Sequence, residues 1–130
     1  MKEFYETKVK DIMQNKLWDL PIVNKDANIN LILLIIISRG YVWVVDNKKL
    51  VGIITEHDIL DLLENYNNKI KAEDIMKREL ITCKKEDKII DVIYKIKKYK
   101  VRRLPVIEND KFVGEITLRH LIEKLLSLFS

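Results

Sequence analysis

Very little of this chain can carry covalent or redox chemistry. Among 130 residues there are one cysteine (Cys83), two histidines (His57 and His120), two prolines and three glycines. A lone cysteine cannot close an internal disulfide, and with so few histidines it offers no ligand cluster for a structural zinc, so no metal site is expected. Gly40, Gly52 and Gly114 stand too far apart to build a Gly-x-Gly-x-x-Gly or Walker-type phosphate loop, which disfavours the classical nucleotide enzymes. Neither Cys83 nor the histidines show the spacing of a nucleophile with a positioned base, so no catalytic residue and no enzyme activity is expected. The longest apolar run, Leu31 to Ile37, has seven residues, against the roughly 20 that span a bilayer, so no membrane partner is expected. The charged opening Met1-Lys2-Glu3-Phe4-Tyr5-Glu6 has no apolar leader core, which predicts a cytoplasmic protein.

What is present is a core-forming composition, 48% hydrophobic and 34% charged, as in soluble globular domains. Lysine and arginine outnumber aspartate and glutamate 24 to 20, for a net charge of +4. That bias is compatible with anionic ligands but too small to identify one.

The chain also repeats itself, and a duplicated unit changes the meaning of every motif within it. Asp11-Ile12-Met13 recurs as Asp74-Ile75-Met76, a shift of 63. Val44 to Thr55, containing Val51-Gly52-Ile53-Ile54-Thr55, aligns with Val106 to Thr117, containing Val113-Gly114-Glu115-Ile116-Thr117, at a shift of 62. The two shifts differ by one residue of loop. Two repeats follow, 1–68 and 69–130, joined by the polar stretch Asn65 to Lys71.

In the second repeat Leu80 to Cys83 reads as a short strand, and Asp87 is placed to cap a helix with Ile89, Val92, Ile93 and Ile96 on one face and Tyr99 also inward. Leu104 to Ile107 and Phe112 to Ile116 form a hairpin across Glu108-Asn109-Asp110-Lys111. A closing helix puts Leu118, Leu121, Ile122, Leu125 and Leu126 on its inner face. The first repeat follows the same order: a strand near Leu20 to Val23, a helix over about Asn28 to Ser38, strands Val42 to Val45 and Leu50 to Ile54, and a helix with Ile59, Leu62, Leu63 and Tyr66 inward. Its Ile29 to Ile37 segment is apolar almost all round, which predicts cover on both sides, although so short a run also fits a strand. The fold class is α/β (α+β), with two β-α-β-β-α repeats.

This arrangement, Asp-Ile-Met, a helix, Leu104-Pro105-Val106-Ile107 with an acidic turn, Gly-x-Ile-Thr and a closing helix, resembles a tandem pair of CBS (cystathionine β-synthase) domains over Val9 to about Phe129. The resemblance implies a stand-alone regulatory protein, its repeats packed by pseudo-twofold symmetry, that binds an adenine nucleotide or other adenosyl ligand in the cleft between repeats. AMP, ADP, ATP or S-adenosylmethionine would be a ligand, not a cofactor. The implied role is energy sensing, with the ligand state passed to a regulated protein that the sequence does not identify.

The strand-to-helix junction Thr55-Glu56-His57-Asp58 carries the chemistry best. Read from its residues alone it is a helix cap, or a place where free N–H groups and the helix dipole meet an oxygen-rich ligand. The resemblance assigns Asp58 to ribose hydroxyls with Thr55 beside it, and implies that they face Ile81, Thr82, Val101, Arg102 and Arg103. The opposite cleft would pair Thr117 and His120 with Trp18, Arg39, Gly40 and Tyr41. It departs from the family pattern, with His120 in place of the aspartate and Trp43 where the other repeat has Pro105, so it is expected to be degenerate. His120 is expected at the helix terminus, facing solvent or a neighbour, and both tryptophans in core or interface. Lys95 to Arg103 holds six cations in nine residues; its lysines read as the wet face of a helix, its arginines as phosphate contacts or surface charge. Two alternatives stay open: a ligand-free dimerisation module, or nucleic-acid binding through Lys95 to Arg103. The apolar helices predict a homodimer, with Ile35 and Leu128 on its interface.

Overall fold

The computed structural model describes residues 1–129; Ser130, the end of the expected second repeat, lies outside the described residues. The elements run α1 (Lys2–Glu6), α2 (Val9–Ile12), a 3-10 turn (Leu17–Asp19), β1 (Ile22–Asn24), α3 (Ile29–Arg39), β2 (Tyr41–Asp46), β3 (Lys49–Thr55), α4 (Glu56–Glu64), α5 (Ala72–Ile75), α6 (Ile89–Tyr99), β4 (Arg103–Glu108), β5 (Lys111–Thr117) and α7 (Leu118–Ser127). They form two compact units, Trp18–Leu80 and Met1–Leu17 with residues 81–129. Repeats along the sequence and units in space are thus cut differently: residues 1–17 fold with the second repeat and residues 69–80 with the first.

In the Trp18–Leu80 unit β2 lies between β1, to which it is parallel, and β3, to which it is antiparallel. The β2–β3 turn is tight because Asn47 and Lys48 both take positive φ, 53° and 71°, the geometry whose twist suits a two-residue hairpin. Ile29 to Ile37 is helical, bounded by two local signals. The Asn28 side chain accepts from the Asn30 N–H at 2.8 Å, and Gly40 ends the helix in the left-handed region at φ 84°. Ile29, Ile32 and Ile36 are buried against Val42, Val44 and Ile54. Within the chain only one side is covered: Leu31, Leu34 and Ile37 are exposed, because only the i, i+3, i+7 face meets the sheet. In α4, Ile59 and Leu62 are buried, whereas Leu63 and Tyr66 are exposed. The helix stops at Glu64, so Tyr66 leaves the helical period and its hydroxyl donates to Asn30 Oδ1 at 2.7 Å.

The other unit repeats the hairpin, with Asn109 and Asp110 at positive φ. Its expected first strand is reduced to one bridge, Cys83 parallel to Val106, because the neighbouring residues make no ladder bonds. The α6 N-cap is Lys88, not Asp87; Asp87 instead accepts from the Lys84 N–H in the turn before it. Phe4, Val9, Cys83, Ile89, Val92, Leu104, Val106, Ile116 and Leu121 form the core. Tyr99, Leu118, Ile122 and Leu126 are exposed, since these helices are covered on one side and only a narrow stripe reaches the sheet. Ile35 and Leu128, expected at an interface, are partly buried against their own units' cores.

The two recurrent motifs meet physically. β3 carries one extra residue, Val51, between the Val44–Gly52 and Val45–Leu50 pairs, and β5 carries Val113 at the same place. The glycine beside each bulge is crossed by an Asp-Ile-Met segment from the other sequence repeat. A Cβ on Gly52 would lie 2.5 Å from Met76 Sδ and 2.9 Å from the Lys77 carbonyl oxygen; one on Gly114 would strike Met13 and the Gln14 carbonyl. Reciprocal backbone bonds lock both crossings, Ile53 with Lys77 at 2.9 and 3.0 Å and Glu115 with Gln14 at 2.9 and 3.0 Å. Gly52→Ala and Gly114→Ala are therefore expected to destabilise the protein by about 1–3 kcal/mol each, the usual cost of overpacking a site that cannot yield. Urea unfolding checks this, and wild-type stability in both variants would contradict the crossings.

Candidate functional site

Each unit has a corner where a hairpin strand ends and a helix starts. In the Trp18–Leu80 unit, Tyr41 opens β2 beside Thr55 at the end of β3, and α4 begins at the next residue. Thr55 is the N-cap, and Asp58 in the first turn reaches back to it. Asp58 Oδ2 accepts from the Thr55 backbone N–H at 2.8 Å and from its hydroxyl at 3.2 Å. The cap expected from the residues is therefore formed. It leaves acceptor capacity, because an ionised carboxylate offers about four lone-pair sites. The Asp58 side chain is only 8% exposed, and its Oδ1 lies 3.5 Å from the Lys77 ammonium, which is 57% exposed. The Asp58 charge is thus almost removed from solvent yet faced by a half-exposed cation, a setting in which electrostatic contacts are stronger than in water.

The same unit holds Trp18, Arg39 and Gly40. An Arg39 guanidinium nitrogen donates to the Asp19 carbonyl at 2.8 Å. A Cβ on Gly40 would lie 3.6 Å from Glu56 Oε1, so Gly40 and Tyr41 border the first turn of α4. Trp43 is in the core, whereas Trp18 is 81% exposed and so is not a core residue of its own chain. Trp18 sits in the short 3-10 turn, before the chain reaches the sheet.

The other unit holds the remaining expected site residues. Arg103 opens β4 opposite Thr117, and the Arg102 carbonyl accepts from the Leu118 N–H at 2.9 Å. Ile81 and Val101 pack on the core, while the Thr82 carbonyl accepts from the Lys95 ammonium at 2.7 Å. Lys97, Lys98 and Lys100 are exposed, as a wet helix face should be. Asp58 and the two arginines thus belong to different units. Cys83 is buried, and burial pushes its thiol up to about 12, so at neutral pH it is not a nucleophile. Among the described residues no group of His, Cys, Asp or Glu is arranged to hold a metal, and no helix is long and apolar enough to cross a membrane.

His120 occupies in α7 the place of Asp58 in α4 and makes the same cap with different chemistry. Its Nδ1 accepts from the Thr117 N–H at 3.0 Å, and the His120 N–H donates to Thr117 Oγ1 at 3.2 Å. The imidazole is half-buried, not turned out to solvent, and lines a shallow groove of about 320 Å³ with Ile12, Glu123, Lys124 and Ser127. Two residues that the sequence reading missed stand at these corners, Lys77 and Gln14. Their equivalence was present in the repeat, one residue after each Asp-Ile-Met, but their delivery to the other repeat's corner was not.

The Nδ1 acceptor must be unprotonated for the α7 cap to hold. Burial, chiefly, lowers the His120 pKa below the ordinary 6.5; Arg119 adds to this, while Glu115 and Glu123 oppose it. The unfolded chain therefore takes up this proton at higher pH than the folded one. The stability contributed is complete above pH 6.5 and is lost as pH falls from there through the lower folded value. His120→Asn, which keeps an acceptor near the Nδ1 position without titrating, is expected to flatten the stability loss between pH 7.5 and 5. Urea midpoints of both proteins at the two pH values check this.

Residues 9–65 and 72–127 each match the family model of the CBS domain. The uncharacterized protein MJ1232 of Methanocaldococcus jannaschii is 44% identical over 57% of this chain and 25% of its own length. Homoserine O-acetyltransferase of Methanosphaera stadtmanae is 32% identical over 89% of this chain and 24% of its own. The chain thus spans about a quarter of the length of either relative. Among solved structures, the CBS domain pair of protein MJ0100, in complex with 5′-methylthioadenosine and S-adenosyl-L-methionine, is 32% identical with a TM-score of 0.74, covering 95% of this chain and 98% of that one. CBSX2, in complex with AMP, has a TM-score of 0.82 at 21% identity over 95% and 98% of the two chains, a likeness of fold. With both repeats matched and the paired fold shared, this chain belongs to the CBS-domain family, as a tandem pair.

Proposed function

We propose that this chain is a regulatory module that binds an adenosyl ligand, AMP, ADP, ATP or S-adenosylmethionine, through the corner built by Thr55 and Asp58, and passes the ligand state to a regulated protein. The observation that carries this is the Asp58 carboxylate, 8% exposed at a strand-to-helix corner, with lone pairs left to receive two ribose hydroxyls. The MJ0100 pair, similar over nearly its whole length, was crystallised with two adenosyl compounds, which supports the ligand class. Tyr41 and Gly40 border the same corner. At the second corner the neutral imidazole of His120 accepts from its own cap, so it cannot take a ribose diol as a carboxylate does. That corner is the weaker adenosyl site.

Calorimetry with AMP, ATP and S-adenosylmethionine tests the proposal. Asp58→Ala is expected to weaken the best ligand roughly 10- to 150-fold, the range for losing charged hydrogen bonds of about 1.5–3 kcal/mol. Unchanged affinity in a folded Asp58→Ala protein would leave Asp58 a cap only. Binding that collapses between 50 and 200 mM salt would instead favour a nucleic-acid partner.

A second copy of the chain is the proposed partner of the outward apolar side chains. Leu34, Ile37 and Leu63 in one unit and Ile122, Leu126 and Phe129 in the other are all at least half exposed, and a second copy would take them out of water. Light scattering over a concentration series is expected to give a dimer mass that Ile37→Glu lowers. A monomer mass at tens of micromolar would rule the dimer out.

A further inference from the structure

We infer that Lys77 sets the charge preference of the Asp58 corner, favouring adenosyl ligands that carry a phosphate over those of zero or positive net charge. This inference rests on the reading of Asp58 as a ribose-binding carboxylate, and four observations carry it beyond that reading.

The Lys77 ammonium lies 3.5 Å from Asp58 Oδ1, while Oδ2 is held by Thr55. Oδ1 is thus the oxygen most open to an incoming hydroxyl, and Lys77 stands on it. The lysine backbone cannot drift away, because its N–H and carbonyl are both bonded to Ile53 and the segment lies against Gly52. Its side chain can, being 57% exposed and joined to the backbone by four methylenes. Finally, the other unit changes both members of the pair together: Gln14 takes the place of Lys77 and His120 that of Asp58. Gln14 is bridged to Glu115 as Lys77 is to Ile53, but its Oε1 accepts from the Lys16 N–H. The position one residue after Asp-Ile-Met is thus a cation in the unit whose helix cap carries a carboxylate and a neutral amide in the unit whose cap carries an imidazole.

The consequence is an exchange of partners. A ribose diol that takes Asp58 separates the carboxylate from the ammonium. An uncharged ligand leaves that ammonium with water alone, and a sulfonium ligand such as S-adenosylmethionine, whose net charge stays positive despite its carboxylate, adds a like charge near it. A ligand with a phosphate gives the same ammonium a new anionic partner, so the cation that obstructs adenosine assists AMP.

Calorimetry of AMP, adenosine and S-adenosylmethionine with wild type, Lys77→Gln and Lys77→Arg tests this. Lys77→Gln installs the residue of the other unit. It is expected to tighten adenosine and S-adenosylmethionine by about two- to fivefold, the scale of a half-exposed ion pair, and to weaken AMP by about threefold or more through loss of a charge-assisted contact. Lys77→Arg keeps the cation and is expected to retain the wild-type order. A cation that merely attracted phosphate would not tighten adenosine when removed. If wild type binds through Asp58, with binding lost in Asp58→Ala, and Lys77→Gln leaves the AMP-to-adenosine ratio unchanged, the inference alone is overturned. If wild type binds none of the three ligands, the ribose-binding reading falls and this inference with it.

Discussion

Two close approaches of backbone to backbone hold the architecture in place, Met76–Lys77 over Gly52 and Met13–Gln14 over Gly114. At both, a side chain on the glycine would occupy space already filled by a carbonyl oxygen and a methionine. That is why glycine stands in both Gly-x-Ile-Thr motifs. The bulge beside each glycine bends the strand, and paired backbone bonds then seal the crossing segment onto it. Everything that gives the corners their chemistry is downstream of this contact. It brings Ala72 and Met76 into one core and Val9 into the other, and it sets Lys77 at the carboxylate of a helix cap that begins three residues after Gly52.

The same backbone frame therefore carries two different electrostatic sites. Thr55 and Thr117 are the N-caps of corresponding helices, and in each the third helical residue accepts from the cap's backbone N–H. The Thr117 hydroxyl, however, accepts from the His120 N–H, while the Thr55 hydroxyl donates to Asp58. With Asp58 the returning group is an anion with acceptor capacity to spare. With His120 it is a neutral ring whose one acceptor nitrogen is already used. Both residues meet the demand of the cap, so capping cannot explain the difference between them. The difference matters only for what else each corner can receive, and the exchange of Lys77 for Gln14 at the position after Asp-Ile-Met accompanies it.

Much of the fold was legible because its signals are local. Asn28 and Gly40 bracket α3, and Asn47-Lys48 and Asn109-Asp110 turn the hairpins with the left-handed residues such turns require. Side-chain orientation was less legible. Leu63, Leu118, Ile122 and Leu126 have the right spacing to face inward and do not, because periodicity defines a stripe without saying how wide a surface will cover it. Leu80 to Cys83 is strand-like in composition but pairs at a single residue, since a ladder needs a partner over its length. Asp87 has a capping side chain but spends it one turn earlier, on the Lys84 N–H.

The sequence by itself determined the duplication, the order of the longer helices and the hairpin strands, the thin supply of nucleophiles and ligands, and the Thr55–Asp58 and Thr117–His120 pairs at corresponding corners. These are legible because repeats, caps and turns are encoded within a few residues of where they act. Tertiary structure alone decided that the Asp-Ile-Met segment of each repeat folds onto the other, and so that Lys77 meets Asp58. The physical reason is that such a crossing depends on a vacancy, the missing Cβ of a glycine, and on backbone groups of another segment arriving to fill it. No periodicity records that pairing, because the two partners are more than 20 residues apart in one crossing and about 100 in the other.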